Sequence, residues 1–149
     1  MMKSFKFNLE SVLEFKQLKE DEAKQKLTEA NFKVRREEDI LKGYQNKLKS
    51  AQEQTPMELT VFYAQQKDAY LSNLIEHISL QQKQLRVAQL EAECRKKEFI
   101  TAHRELQTLQ NLKEKRFREY TFELERIEQN LMDDLGLRSF LRKAQGFQE

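Results

Sequence analysis

Residues that form turns are almost absent from this chain. Its 149 residues include three Gly and one Pro, whereas an average protein contains roughly 12% of the two together. Sandwiches, barrels and doubly wound α/β folds need many turns, and turns depend on these residues, so these folds are excluded. With 38% hydrophobic and 35% charged residues, the chain is also too polar for a globular core. Long helices that bury a narrow apolar seam remain.

The first third of the chain carries a sustained repeat of 3.5 residues. Ten of its thirteen seam positions are apolar, which is typical of a helix that packs against another helix. The seam positions are Leu9, Leu13, Lys16, Glu20, Ala23, Leu27, Ala30, Val34, Glu37, Leu41, Tyr44, Leu48 and Ala51.

The limits of this first helix are set by a cap and by the end of the repeat. Asn8 can accept hydrogen bonds from the first free amides, and Phe7 and Val12 have the spacing of a hydrophobic staple. Gly43 costs about 1 kcal/mol inside a helix, but the seam continues beyond it. We therefore predict a helix over residues 8–53 and a turn at 54–56.

The sequence at residues 55–58 (TPME) has the pattern of a capping box with proline at the first helical position. A second repeat follows, with ten of twelve seam positions apolar. These positions are Leu71, Leu74, Ile78, Gln81, Leu85, Ala88, Ala92, Arg95, Phe99, Ala102, Leu106 and Leu109. The prediction is a second helix over 57–135 that ends at Gly136, with 137–149 as a short helix or a frayed tail.

The repeat changes phase after Leu109, as it does where four residues are inserted into a coiled coil. The apolar stripe continues through Phe117, Tyr120, Leu124, Ile127 and Leu131.

The position of the turn predicts how the two helices pair. If the turn lies near residue 54, residue i of the first helix faces about residue 108 − i of the second. The fold class is then all-α: one domain over 1–149, a long antiparallel coiled-coil hairpin whose second helix overhangs beyond about residue 105. Such an uncovered stripe is typical of a surface for a partner or for self-association.

Composition and spacing argue against catalysis and against several ligand classes. His77 and His103 lie about 39 Å apart along one helix, and glycines at 43, 136 and 146 alone cannot form a phosphate-binding loop. Cys94 has no His or Cys neighbours at metal-ligand spacing. The net charge of +2 is evenly distributed, which disfavours nucleic acid. We expect no enzyme activity, no metal, no cofactor, no nucleic acid and no small-molecule substrate.

Neither a signal peptide nor a membrane span is expected, so the chain is predicted to be cytoplasmic. The densest basic cluster, residues 113–118 (KEKRFR), is either a solvated helix face or a contact for an acidic protein surface. Residues 95–97 (RKK) fit a solvent-facing charge run. Tyr63 and Tyr70 fit an exposed docking patch and edge packing equally well.

The chain resembles the FliJ family of flagellar export proteins. The opening FKFNLESVL at residues 5–13, a turn near one third of the length, KEKR at 113–116 and ERIEQ at 125–129 carry the resemblance. It implies a non-enzymatic component of the bacterial flagellar type III export apparatus. In this family the hairpin is a stalk in the central hole of a hexameric export ATPase, promotes ring assembly and activity, and contacts the membrane export gate.

The resemblance also implies site residues. The ATPase-binding end would comprise Phe5, Phe7, Leu9, Val12, Leu13, Lys16, Phe117, Arg118, Tyr120 and Arg126. The patch for the cytoplasmic domain of the export gate would comprise Tyr70, Leu74 and His77. Export chaperones are further candidate partners, and the protein would associate peripherally with the inner membrane through the apparatus, in the service of motility.

Two alternatives stay open at this point. The chain could be a structural or adaptor coiled coil that self-associates through its C-terminal arm. It could also be the equivalent stalk of a virulence type III secretion system.

Overall fold

The computed structural model describes residues 3–54 and 60–146. Over these residues the chain forms two helices and no strand: α1 (Glu10–Glu53) and α2 (Val61–Gly146). The two helices pack against each other. The all-α prediction is therefore confirmed. Neither helix carries an apolar stretch, among its described residues, that is long enough to cross a membrane.

The chain divides into two compact units. The terminal unit combines Met1–Lys16 with Arg104–Glu149, and the central unit is Gln17–His103. In the central unit α1 and the first part of α2 form an antiparallel helical hairpin. In the terminal unit the first turns of α1 pack on the later part of α2.

The predicted seam positions are the ones that lose solvent exposure. Every seam position in α1 and all twelve in α2 are buried or half-buried, and only Leu9, just before α1, is exposed. Small side chains occupy two of the best-buried positions, Ala30 in α1 and Ala88 in α2. The small side chains allow the two helices to approach closely at these positions, whereas leucines such as Leu13, Leu74 and Leu106 fill the seam elsewhere.

A buried polar contact lies in the seam of the central unit. Gln81 is buried, and its Nε2 donates hydrogen bonds to the carbonyl oxygen and to the carboxylate of Glu37. A buried polar residue at a seam position favours one pairing of two helices over its neighbours, because any shift leaves it without partners. Gln81 thus explains a seam position that is not apolar.

The predicted pairing of the helices is wrong. The ring of Tyr44 lies 5.6 Å from that of His77, although the expected partner was about residue 64. The cause is the connection: α2 begins at Val61, but it comes level with the end of α1 only at Lys67, whose Nζ donates to the carbonyl of Gln54 at 2.7 Å. The first turns of α2 therefore extend past the end of α1.

The start of α2 also differs from the prediction. The proposed capping box at 55–58 lies outside the described residues. The observed cap is Thr60, whose Oγ1 accepts from the Tyr63 amide at 3.2 Å and whose carbonyl accepts from the Ala64 amide at 3.0 Å. Threonine is a favoured cap because its hydroxyl satisfies an amide that the first helical turn leaves free.

At the start of α1 the cap position is Leu9, not Asn8. The Leu9 carbonyl accepts from the Leu13 amide at 2.8 Å. A turn precedes it, in which the Phe7 carbonyl accepts from the Glu10 amide at 3.1 Å. The helix therefore begins two residues later than predicted, because a turn precedes it and the segment before the turn packs on α2.

The prediction that Gly136 ends the second helix is also wrong. Helix α2 continues through Gly136 to Gly146, and Gly136 does not adopt the positive φ of a helix-terminating glycine. One glycine costs a helix only about 1 kcal/mol, and the good helix formers on both sides of it outweigh that cost.

We predict that seam residues and arm residues differ sharply in their effect on stability. Leu106 is 5% exposed and Leu131 is 60% exposed. Leu106→Ala should lower the free energy of unfolding by about 2–4 kcal/mol, because it leaves a cavity in the seam. Leu131→Ala, the same chemical change, should alter it by less than about 0.5 kcal/mol. Urea denaturation followed by circular dichroism measures both, and equal losses would contradict this description of the core.

Candidate partner-binding surfaces

The N-terminal segment, residues 3–9, is attached to α2 through aromatic rings. In the terminal unit the ring of Phe5 lies 5.3 Å from that of Phe117, edge to face, and 5.5 Å from that of Tyr120. The Tyr120 hydroxyl donates to the carbonyl of Lys3 at 2.5 Å. We call Phe5, Phe117 and Tyr120 the aromatic cluster. Edge-to-face rings contribute about 0.5–1.5 kcal/mol beyond their buried area, so the cluster holds the N-terminal segment on α2.

Two ion pairs flank the buried Leu13 and Leu106 in the terminal unit. Lys113 Nζ lies 2.8 Å from Glu10 Oε2, and Lys16 Nζ lies 2.7 Å from Glu105 Oε2. Exposed pairs contribute about 0.2–1 kcal/mol each. They therefore favour one alignment of α1 on α2, whereas apolar packing supplies most of the stability.

A groove of about 940 Å³ runs between the N-terminal segment and α2. Its walls combine apolar and aromatic side chains with the charged groups of Lys3, Lys6, Arg116 and Glu119, a mixture that suits an aliphatic or aromatic side chain of a protein partner. The lining residues are Lys3, Ser4, Phe5, Lys6, Phe7, Asn8, Leu9, Leu112, Arg116, Glu119 and Tyr120.

The structure brings together part of the predicted ATPase-binding set. Phe5, Phe117 and Tyr120 form the aromatic cluster, and Phe7 and Leu9 line the groove beside it. The remaining five residues have different surroundings. Val12 and Arg118 are exposed, Leu13 is buried in the seam, Lys16 pairs with Glu105, and Arg126 pairs with Glu123 on its own helix at 3.3 Å.

Beyond Leu124 no described residue packs against helix α2. Every residue from 125 to 146 is exposed, and we call this segment the arm. The overhang therefore begins about 20 residues later than predicted, because Glu10 pairs with Lys113 and the N-terminal segment reaches Tyr120. The large apolar side chains on the arm are Ile127, Leu131, Met132, Leu135, Leu137, Phe140 and Leu141.

A scan of the sequence against models of known protein families shows to which family the chain belongs. The model of the family described as "Flagellar FliJ protein" matches residues 5–145. The chain belongs to the FliJ family. Neither the search of curated proteins nor the search of solved structures returned a match. FliJ proteins are non-catalytic components of flagellar export, so membership assigns the chain to this process.

The predicted gate patch of this FliJ chain is split by burial. Tyr70 is half exposed and His77 is exposed, with its ring against Tyr44, whereas Leu74 is only 5% exposed. A side chain that is buried between the two helices cannot also contact a partner protein. A partner at this patch would contact Tyr70 and His77, and Leu74 would support them from below.

The sequence reasoning missed the apolar residues at the end of the arm, because Gly136 was read as the end of the helix. Leu137, Phe140, Leu141 and Ala144 follow the spacing i, i+3, i+4 and i+7. That spacing is the signal of an amphipathic helix, and it could have identified them.

We expect Tyr120→Phe to release the N-terminal segment. The variant keeps the ring and removes the hydrogen bond to Lys3, which is worth about 1 kcal/mol or about fivefold in the equilibrium between bound and released segment. Trypsin should therefore cleave after Lys6 about fivefold faster. Tyr70→Phe makes the same chemical change in the central unit and is the control. Equal cleavage rates in Tyr120→Phe and wild type would mean that this bond does not hold the segment.

Proposed function

We propose that this FliJ protein is the stalk of the flagellar export ATPase. Its terminal unit would enter the central hole of the hexameric ATPase ring, promote assembly and activity of the ring, and link the ring to the export gate. The proposal rests on family membership and on one structural observation. The aromatic cluster holds the N-terminal segment on α2, next to an arm whose apolar residues are all uncovered.

The chemistry of the terminal unit suits a protein partner. An apolar groove, exposed aromatic rings and a basic stretch at Lys115, Arg116 and Arg118 supply the anchors and the charges that protein interfaces use. We infer that Phe7, Leu9 and Val12 contribute apolar contacts, that Arg118 and Arg126 contribute charge, and that Leu13 and Lys16 keep the surface in place.

The mechanism would follow from symmetry. Two unequal helices inside a sixfold ring present a different surface to each subunit. Binding would therefore favour different nucleotide states in different subunits. A coupling free energy of about 1–3 kcal/mol, or about 5–150-fold in affinity, is typical of such effects. Because the stalk acts by binding, it needs no catalytic residue of its own.

The gate contact would lie in the central unit at Tyr70 and His77. It would leave the terminal unit free for the ring, so one chain could bind both partners. Through these contacts the protein would be held at the inner membrane while remaining a cytoplasmic component, with export chaperones as further partners.

The central experiment measures ATP hydrolysis by the cognate export ATPase with and without this protein. We expect stimulation by wild type and its loss in Phe117→Asp and in Tyr120→Asp, because binding to the ring would bury an unpaired charge in an apolar contact. Phe122→Asp is the matched control: Phe122 is 65% exposed and lies on another face of α2, so stimulation should persist. Circular dichroism must show equal helicity in all variants, and a matching loss of helicity would refute the assignment.

Light scattering on the protein alone tests the competing function. A stalk is expected to be a monomer. A concentration-dependent dimer that forms through the arm, together with no effect on the ATPase, would support a self-associating adaptor instead.

For the gate we expect Tyr70→Ala to weaken binding to the gate's cytoplasmic domain about tenfold, the loss of about 1.4 kcal/mol that an aromatic anchor commonly contributes. Ile75→Ala removes a comparably exposed side chain from another face of α2 and should bind normally. Titration calorimetry measures both affinities, and ATPase stimulation should be unchanged in either variant. If Ile75→Ala weakens binding and Tyr70→Ala does not, the gate surface lies on the other side of α2.

A further inference from the structure

A groove lies on one side of the seam in the central unit. Its volume is about 700 Å³. It begins at Gln89, which is 12 residues along α2 from His77, or about 18 Å. The groove is therefore separate from the proposed gate contact, and the proposed ring contact belongs to the other unit. Half-buried apolar side chains of both helices form its floor, namely Leu27, Val34, Ala92 and Phe99.

On the side of the seam opposite the groove, opposite charges meet. Asn31 lines the groove and directly follows the seam residue Ala30. Lys33 directly precedes the seam residue Val34, so it lies on the opposite side of the seam. There Lys33 Nζ lies 3.7 Å from Glu91 Oε2 of the other helix. Pairs of this kind favour the antiparallel alignment of the two helices.

On the groove side, by contrast, lysine faces lysine. Asn31 and Gln89 line the groove from the two helices. Lys24 precedes Asn31 by seven residues, and Lys96 follows Gln89 by seven. Residues at this spacing share one side of a helix, and Lys96 itself lines the groove. One end of the groove is therefore bordered by two lysines, one from each helix.

The two lysines lie at nearly the same level of the hairpin. His103 Nδ1 lies 3.4 Å from Glu20 Oε2. Because the helices are antiparallel, Lys24, four residues after Glu20, comes level with about residue 99. Lys96 is three residues from that level, or about 4.5 Å. Both lysines are exposed, and neither forms an ion pair with a described residue.

Two arginines border the other end of the groove. Arg35 follows Asn31 by four residues, and Arg86 precedes Gln89 by three. These spacings place each arginine on the groove side, one turn further along its helix. In the same alignment Arg35 comes level with about residue 88, close to Arg86. Both arginines are exposed, and neither has an acidic partner within the part of the chain that the structure describes.

The groove side is positively charged over the length of the groove. Between the levels of the two ends, Glu93 is the one acid on this side of the described helices. Four cations and one acid leave a net charge of +3. The next acids on this side of α1, Asp21 and Glu38, lie one turn beyond the ends. Like charges that face each other destabilise a pair of helices, and acidic groups of a partner would remove this repulsion.

An apolar groove with cations at both ends is complementary to a helix with the reverse pattern. Lys24 and Arg35 are 11 residues apart, which is about 17 Å or three helical turns. A helix that lies along the groove meets its two ends with residues i and i+11, which share one face, and its floor with residues i+4 and i+7. We propose that the groove binds an acidic amphipathic helix of another protein, with carboxylates at i and i+11 and large apolar side chains at i+4 and i+7. This inference does not depend on the stalk role.

A synthetic helix tests the chemistry of the partner. The probe is a fluorescent, alanine-rich peptide of about 18 residues, long enough to be helical, with Glu at i and i+11 and Leu at i+4 and i+7. It is titrated with the full-length protein, and binding is followed by fluorescence anisotropy. Replacing both Glu by Lys, or both Leu by Ala, should weaken binding at least tenfold. If the peptide without Leu binds equally well, charge alone attracts it and the proposal is wrong.

Charge reversal in the protein tests which cations bind the acids. In Lys24→Glu/Lys96→Glu the acidic peptide should bind at least tenfold more weakly, and the lysine peptide at least tenfold more tightly than it binds wild type. Lys26→Glu/Lys97→Glu is the control. It changes the net charge equally at exposed positions away from the groove, so both affinities should stay within twofold of wild type. Equal effects in the two double variants, or no effect in either, would overturn the proposal.

A bulky side chain in the groove tests the location of the peptide. Asn31→Trp fills part of the groove without changing the charge, and Asn46→Trp makes the same change at an exposed position on another face of α1. We expect at least tenfold weaker binding of the acidic peptide to the first variant and normal binding to the second. Circular dichroism must show equal helicity in both. Normal binding to a folded Asn31→Trp protein would mean that the peptide lies elsewhere.

Light scattering distinguishes another protein from a second copy of this chain as the occupant. We expect wild type and Lys24→Glu/Lys96→Glu to have the same mass in solution at every concentration. A wild-type dimer that this double variant no longer forms would mean that a second copy fills the groove, and would overturn the proposal.

Discussion

The pairing of two helices along one seam is the interaction on which the rest of this protein depends. A chain with 35% charged residues has little other apolar surface to bury. Small residues at Ala30 and Ala88 let the helices approach closely, and the Gln81 contact with Glu37 favours one alignment. Because helix stability in proteins comes mainly from such packing, losing the seam would remove the support of both helices.

The unequal lengths of the two helices create the candidate site. Helix α1 has 44 residues and α2 has 86, so part of α2 has no helix to pack on. The N-terminal segment covers the first portion of this excess through the aromatic cluster, and the arm is left bare. A bare apolar helix is a liability in water unless a partner covers it. This is the physical basis for placing the proposed ATPase contact here.

The separation of tasks between the units follows from the same arrangement. The central unit uses its apolar residues to hold α1 on α2, so Leu74 is buried and only flanking side chains such as Tyr70 and His77 are available for a partner. In the terminal unit many apolar side chains, those of the arm among them, stay exposed after α1 and the N-terminal segment have packed on α2. The proposed ring contact and gate contact can therefore form on one chain without competing for the same residues.

The sequence by itself determined the all-α class, the seam positions and the family, because these follow from local periodicity and from motifs within a few residues. Only the tertiary structure decided which residues meet across the seam. Shifting one helix by a heptad preserves the pattern, so the pairing depends on the connection, on Gln81 and on ion pairs such as Lys113 with Glu10. The start of the bare arm followed from that pairing. The continuation of α2 through Gly136 was likewise decided by competing helix propensities rather than by one residue.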